Sequence, residues 1–239
     1  PIPPFGALAL AAAETIGGAI VVGVLAAKPV TFAVNIYPFD LRAGAMVFGS
    51  PENLLFQMLC RDFNRFYGWE WDPAPNNTYG MAAMPNLQSC GERAAIMALG
   101  AFLGARHFGA VGTLSQDDIF SPQQLLADVE TRDWIERAIG GMPLGEDAVL
   151  DWIAEIRAGV EHGFMGLDST LDNYLRYVWY PQLFQRGSIG AWKGKGEPRL
   201  SARLQDEVRR RIASYDYELD ADRHRSIERI YRAAQDAIS

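Results

Sequence analysis

The sequence predicts an α/β chain that forms part of a parallel β/α barrel and ends in an α-helical appendage. Two patterns carry that reading. Up to about residue 146, short β-rich apolar runs alternate with stretches of helical apolar spacing, the order that builds parallel β/α units. From Asp147 onward no strand pattern appears, and DAVLDWIAEIRAG, LSARLQDEVRRRIASY and ADRHRSIERIYRAAQDAI all repeat apolar residues at helical spacing. The expected division is residues 1–146 for the β/α units and 147–239 for the helical region packed on them.

The elements follow in order. ALALAAAETIGGAIVVGVLAA, Ala7 to Ala27, is long and apolar enough for a membrane span. Glu14 sits in its middle, glycines at 17, 18 and 23 interrupt it, and no basic cluster precedes it. A central charge is costly in a lone span, so the stretch is read as a buried helix of a soluble domain; no signal-peptide pattern is visible. Lys28-Pro29 breaks the helix, and VTFAVNIY, Val30 to Tyr37, reads as a strand. Ser50-Pro51-Glu52 opens the next helix with a serine cap, proline at the first helical position and an acid in the first turn; it runs to about Tyr67. WEWDP, Trp69 to Pro73, reads as a short strand. A helix from Pro85 to about Gly104, a strand near His107 to Gly112 and a helix opened by Ser121-Pro122 complete about three β/α units, short of the eight that close a barrel.

Composition narrows the function. The chain has 239 residues, 49% of them apolar, which suffices for a large core, and its net charge of −7 argues against a nucleic-acid groove. Cys60 and Cys90 make neither a disulfide framework nor a zinc knuckle, and His107, His162 and His224 are too dispersed to indicate a metal site. No G-x-G-x-x-G after a strand, Walker loop, H-E-x-x-H or nucleophile set is present. Triple Arg209-Arg210-Arg211 reads as a solvated helix face.

In parallel β/α architectures, strand C-terminal ends and the loops after them carry chemistry. That rule selects the loops holding Asp40, Tyr79, and Asp117 with Asp118. Asp40 could contact a ligand or brace its own loop through backbone amides. Gln88 and Glu92, four apart on one helix, are spatial neighbours and could orient a ligand, although an exposed helix pair has the same spacing. Tyr37, Phe39, Trp69, Trp71 and Tyr79 fall on strand ends or following loops. Converging ring faces attract a quaternary ammonium through the ring quadrupole; core packing is the competing explanation.

Several segments together resemble the trimethylamine methyltransferase superfamily. GFMGLDSTLDNYLRYVWYPQLFQRGSIGAW, Gly163 to Trp192, is similar to its C-terminal signature of a G-x-F-L-G-like turn, a T-L-containing helix, an aromatic-proline step and L-F-x-R. The helix carrying Glu14 resembles N-A-E-x-L-x-G. FDLRAGAMVFGSPE, Phe39 to Glu52, resembles D-x-x-x-G-x-x-x-x-G-[ST]-P-E. RFYG at Arg65 to Gly68, P-x-x-Q-x-x-x-E at Pro85, Gln88 and Glu92, and FSPQQLLAD at Phe120 to Asp128 follow in the family's order. The resemblance covers essentially the whole chain. It implies the C-terminal part of a TIM-like (β/α)8 barrel followed by helices, with the Gly163–Trp192 rings packing that junction.

Two departures accompany it. Members of the superfamily are roughly twice this length, so the resemblance implies the C-terminal half of a barrel, with the other half either a separate polypeptide or lost, or else a shortened relative paired in a homo-oligomer. Counting back from Pro85, the family's pyrrolysine falls on about Tyr79, with Asn77 the alternative if the loop is gapped, and the neighbouring Asp and Lys become Met81 and Ala83. Members without pyrrolysine include glycine betaine methyltransferases, whose methyl acceptor is the reduced cobalt of a separate corrinoid protein. A quaternary ammonium needs no further activation, because its nitrogen departs as a neutral amine. The implied assignment is Tyr79, Glu92 and Gln88 as catalytic, with Asp40, Tyr37, Trp69, Trp71, Asn77 and Glu14 binding the substrate.

Two functions remain open from sequence. One is a cytoplasmic corrinoid-dependent methyltransferase acting on a quaternary or methylated amine such as glycine betaine, binding no cofactor itself and using a corrinoid protein as partner. The other is a non-catalytic relative that keeps the scaffold. Loss of the loop Asp and Lys favours the second; retention of Asp40, Gln88 and Glu92 favours the first.

Overall fold

The computed structural model describes residues 3–68, 77–142 and 152–238. Proline and serine punctuation sets its helices. Helix α1 (Pro4–Ala26) begins on a proline and ends at Ala27, whose left-handed backbone (φ 49°) lets the Lys28 amide donate to the Gly23 carbonyl. Helix α2 (Pro51–Phe66) starts at Ser50, whose hydroxyl accepts the Asn53 amide at 3.2 Å. Between them lie β1 (Phe39–Asp40) and β2 (Ala45–Met46), a two-residue antiparallel hairpin. Helix α3 (Leu87–Phe102) starts two residues later than Pro85, because Asn86 and Ser89 form a reciprocal capping box. After it come β3 (Thr113–Leu114) and β4 (Ile119–Phe120), also antiparallel, and α4 (Pro122–Ile139), capped by Ser121 as the sequence leads one to expect. Then follow α5 (Trp152–His162), a short 3-10 turn, α6 (Asp168–Tyr177), α7 (Ile189–Gly194), α8 (Leu200–Ala213) and α9 (Ala221–Ile238).

The chain is therefore helix-rich with small sheets, and an eight-stranded barrel is not shown. The expected strand Val30 to Tyr37 is extended but unpaired as a strand. The side chain of Asn64 takes over both backbone groups of Val34, with the Val34 amide donating to Oδ1 at 2.8 Å and Nδ2 donating to the Val34 carbonyl at 3.0 Å. Expected strand His107–Gly112 shrinks to a single parallel bridge, Gly109 to Asn77, before the β3–β4 hairpin. Expected strand Trp69–Pro73 and the expected boundary at residues 146–147 lie outside the described residues.

Two compact units are present, Pro1–Leu204 and Gln205–Ser239. In the first, one core cluster joins Leu8 and Ala12 of α1 to Val34 and Cys60, with Ile36, Leu59 and Phe63 against it. A second joins Met97 and Ala101 of α3 to Ile135 of α4. The α3–α4 contact also buries an ion pair. Arg93 lies 3.1 Å from Asp128, each side chain at most 2% exposed. Asp128 also accepts the Gly112 amide and the Gln124 amide group, both at 2.7 Å, and Arg93 donates to the carbonyls of Ala110 and Thr113. A buried charge pair survives only with its remaining hydrogen-bonding capacity largely filled.

Helix α1 differs from expectation. Leu8 and Ala12 are buried, but Ile20, Val21, Val22, Val24 and Leu25 are all more than half exposed, and Glu14 is exposed too. Apolar area left in water forfeits its transfer free energy, so the helix is not the buried element that its composition led us to expect. It is long and apolar enough to cross a membrane by length and composition.

The ring-rich Gly163–Trp192 stretch is likewise less packed than expected. Phe164 sits against Gly159, where any Cβ would collide with the ring, yet Phe164 and Tyr180 are each half exposed. The backbone anchors the stretch instead: buried Glu130 of α4 accepts the amides of Leu183 at 2.9 Å and Phe184 at 3.1 Å. In the second unit, Glu207 accepts from Arg210 and Arg211, and Arg209 pairs with Asp206, so the arginine run is a solvated helix face.

Candidate ligand site

The site assembles around the extended segment Asn77–Ala82. Residues of a strand alternate faces, and this segment does so even with little sheet around it. Thr78, Gly80 and Ala82 are buried on one face, toward α3. The Thr78 hydroxyl bonds the Gly109 carbonyl, and Arg93 reaches the same hydroxyl at 3.5 Å. Asn77, Tyr79 and Met81 occupy the other face, where the Asn77 side chain donates through Nδ2 to the Tyr37 hydroxyl at 3.3 Å and the Phe48 backbone amide meets the Met81 sulfur at 3.4 Å.

Three rings pack in series on that second face. Tyr37 and Phe48 have centroids 5.0 Å apart, and Phe48 and Tyr79 5.2 Å apart, the latter edge to face. These are favourable aromatic geometries, and Phe48 is only 7% exposed. At such spacings no cation fits between neighbouring rings. Tyr37 and Tyr79 are both half-buried, so the three rings form a packed row rather than a closed cage. Burial pushes the Tyr37 phenol up from its ordinary value, and the Asn77 hydrogen bond offsets part of that rise.

Helix α2 holds this segment as it holds Val34. The Gln57 side chain accepts the Asn77 amide at 3.3 Å and donates to the Asn77 carbonyl at 3.4 Å. Gln57 and Asn64 lie two turns apart on α2 and so share a face. Two side-chain amides on one helix thus supply what neighbouring strands would otherwise supply to Val34 and Asn77.

Glu92 works from the opposite side. Its Oε2 accepts the Met81 amide at 2.9 Å, and its Oε1 accepts from Gln88 at 2.7 Å. A Cβ built on Gly49 would fall 2.6 Å from this carboxylate, and one built on Gly80 would fall 2.7 Å from Oε2. The carboxylate therefore fills the space that two missing side chains leave, on the α3 face of the segment.

The structure thus brings Tyr37, Asn77 and Tyr79 together, with Gln88 and Glu92 behind them. Asp40 lies apart and exposed in the β1–β2 hairpin, where it accepts the Arg42 amide at 2.7 Å and braces its own turn. Phe39 is exposed beside it. Glu14 is on the exposed side of α1, and Asp118 accepts from Ser115 within its loop. Trp69 and Trp71 lie outside the described residues. Sequence reading missed Phe48, the central ring, and the supporting pair Gln57 and Asn64, whose seven-residue spacing was the available signal. Among the described residues no group of three metal-ligating side chains occurs.

The chain belongs to the trimethylamine methyltransferase (MTTB) family, whose profile matches residues 1–236. Individual relatives sharpen this: it is 26% identical over 213 residues to the trimethylamine methyltransferase MttB of Methanosarcina thermophila, covering 87% of this chain and 42% of that protein. It is 28% identical over 171 residues to MttB1 of Methanosarcina acetivorans, covering 71% and 34%, and 25% identical over 244 residues to MttB of Methanosarcina barkeri, covering 100% and 48%. The chain spans about half the length of the curated relatives it matches most fully.

Proposed function

We propose that the chain contributes the amine-binding face of a cytoplasmic methyltransferase, which moves a methyl group from a quaternary or methylated amine, such as glycine betaine, to the cobalt of a separate corrinoid protein. The observation that carries this is the row Tyr37–Phe48–Tyr79 with ring centroids 5.0 and 5.2 Å apart, whose last ring, Tyr79, stands at about the position to which the family resemblance assigns the pyrrolysine. Membership of a family whose relatives are named trimethylamine methyltransferases supports the reaction class.

The chemistry assigns simple work to these residues. In the transfer the C–N bond breaks, its electron pair stays on nitrogen, and the methyl carbon bonds to the reduced cobalt of the partner. Nitrogen that starts quaternary leaves as a neutral tertiary amine and needs no proton. The protein must then hold the cation and point one methyl group outward, which is catalysis by orientation. Electron-rich ring faces bind a permanent cation that offers no hydrogen bonds. Tyr37 and Tyr79 supply those faces, Phe48 keeps them in register, and the Asn77 side-chain amide, by donating to the Tyr37 hydroxyl, anchors that ring in place. The resemblance implies an N-terminal barrel half or a second copy as the structure that completes the site; the exposed apolar side of α1 supports such a partner.

One observation favours the non-catalytic alternative: the three rings already touch one another, as a packed patch would. The test is an assay of the completed assembly with a reduced corrinoid protein and either glycine betaine or trimethylamine. Methylation of the corrinoid from betaine, abolished with Tyr79→Ala, is expected. No methylation from any quaternary or tertiary methylamine would leave the non-catalytic reading.

A further inference from the structure

We infer that Glu92 is a positioning residue, which fixes the Tyr79 ring from behind the segment and so sets ligand preference without touching the ligand. The inference rests on the amine-binding reading above for what the ring recognises, but not for where the ring is held.

Three independent features place Glu92 on the back of the segment. It bonds the Met81 backbone amide, not a side chain of the ring face. Its carboxylate occupies the space over Gly80, whose direction from the backbone is opposite to that of neighbouring Tyr79 in an alternating segment. It also fills the space over Gly49, the residue after Phe48. One carboxylate therefore contacts the two chain segments that carry the two touching rings, each one residue from its ring. Consecutive Arg93, through Thr78, holds the same segment on the same side. With Gly49 and Gly80 bare, the segments close on Glu92 until Phe48 and Tyr79 meet. A Cβ at either glycine would push the carboxylate away, because contacts this short exceed what packed atoms tolerate. Gln88 donates to the outer oxygen and keeps the carboxylate turned inward.

The experiment measures two things: hydrogen exchange at the Met81 amide of the full chain, which needs no ligand, and calorimetric affinity of the completed assembly for glycine betaine in a double-mutant cycle of Glu92→Ala with Tyr79→Ala. Loss of the hydrogen bond should speed Met81 exchange about fivefold, the equivalent of one net hydrogen bond. Glu92→Gln, which retains an oxygen acceptor, should restore slow exchange, and Gly80→Ala should mimic Glu92→Ala. In the cycle, Glu92→Ala should weaken betaine binding when Tyr79 is present and have no effect when it is absent. Unchanged Met81 exchange in Glu92→Ala would overturn the inference. So would additive losses, which would mean that Glu92 meets the ligand itself. If the parent binds no betaine, the amine reading fails; Met81 exchange and the Phe48–Tyr79 ring contact, read by nuclear Overhauser effects in parent and Glu92→Ala, then decide the inference alone. If Glu92→Ala does not fold, Glu92→Gln and Gly80→Ala carry the same comparison.

Discussion

The Phe48 ring meets the Tyr79 ring edge to face at 5.2 Å, joining the loop before α2 to the segment before α3. Phe48 is also 5.0 Å from Tyr37, so one buried ring sets the spacing of both half-buried tyrosines.

Phe48→Ala should therefore cost about 3–5 kcal/mol of stability, the range for deleting a buried phenylalanine, and should separate Tyr37 from Tyr79. Phe48→Leu keeps most of the volume and should cost less. Urea denaturation of the three proteins measures the order; equal stability of Phe48→Ala and parent would show that the ring series carries no packing energy.

The pair Gln57 and Asn64 makes a second prediction. Each satisfies two backbone groups of an extended residue, Asn77 and Val34. Replacing either by leucine leaves partly buried polar groups unmet, at about 1–3 kcal/mol each. The two sites lie about 10 Å apart along the helix, so the losses should add in the double variant. Thermal or urea unfolding of the two single variants and the double tests this.

What was legible in the sequence follows from how local each signal was. Ser50-Pro51 and Ser121-Pro122 started helices where expected, because a cap is decided by adjacent residues. Val30–Tyr37 and His107–Gly112 failed as strands, because pairing is decided by distant partners, and here Asn64 and one bridge took that place. The Ala7–Ala27 run was apolar enough for a core, but composition does not say what covers a helix. Tyr37 and Tyr79, singled out by their place on strand ends and following loops, and Asn77, singled out by the family resemblance, do lie close together. Phe48 was not singled out, since nothing local distinguishes a ring that bridges two others.

Titration of Tyr37 offers a third prediction. Burial raises its phenol and the Asn77 hydrogen bond partly lowers it again. Asn77→Leu should raise it further, seen as a later phenolate absorbance step in an alkaline ultraviolet titration. A group whose folded value is raised stabilises the fold below its unfolded value near 10. That contribution is lost as pH climbs through the folded value. An earlier step in Asn77→Leu would contradict the assignment.

In the second unit, Arg210 and then Arg211 hold the Glu207 carboxyl down to about 2. A depressed acid contributes stability above its unfolded value and loses it as pH falls through the folded one. The helicity of α8 should accordingly fall between about pH 4.5 and 2, and less so in high salt, because the two arginines are exposed and the pairing is screened. Nuclear magnetic resonance titration of Glu207 should give a normal value in the Arg210→Gln, Arg211→Gln double variant; no change would show that the arginines do not set it.

The central claim is that the Tyr37–Phe48–Tyr79 face binds a permanent cation. Its most direct test is calorimetry of the completed assembly with glycine betaine and with the matched tertiary amine above that amine's pKa, using parent and Tyr79→Ala. The account predicts tighter binding of betaine by the parent, and a loss of roughly 0.5–2 kcal/mol for betaine in Tyr79→Ala, the size of one cation–π contact. Equal affinity of the parent for the two amines, or undiminished betaine binding by Tyr79→Ala, would contradict it.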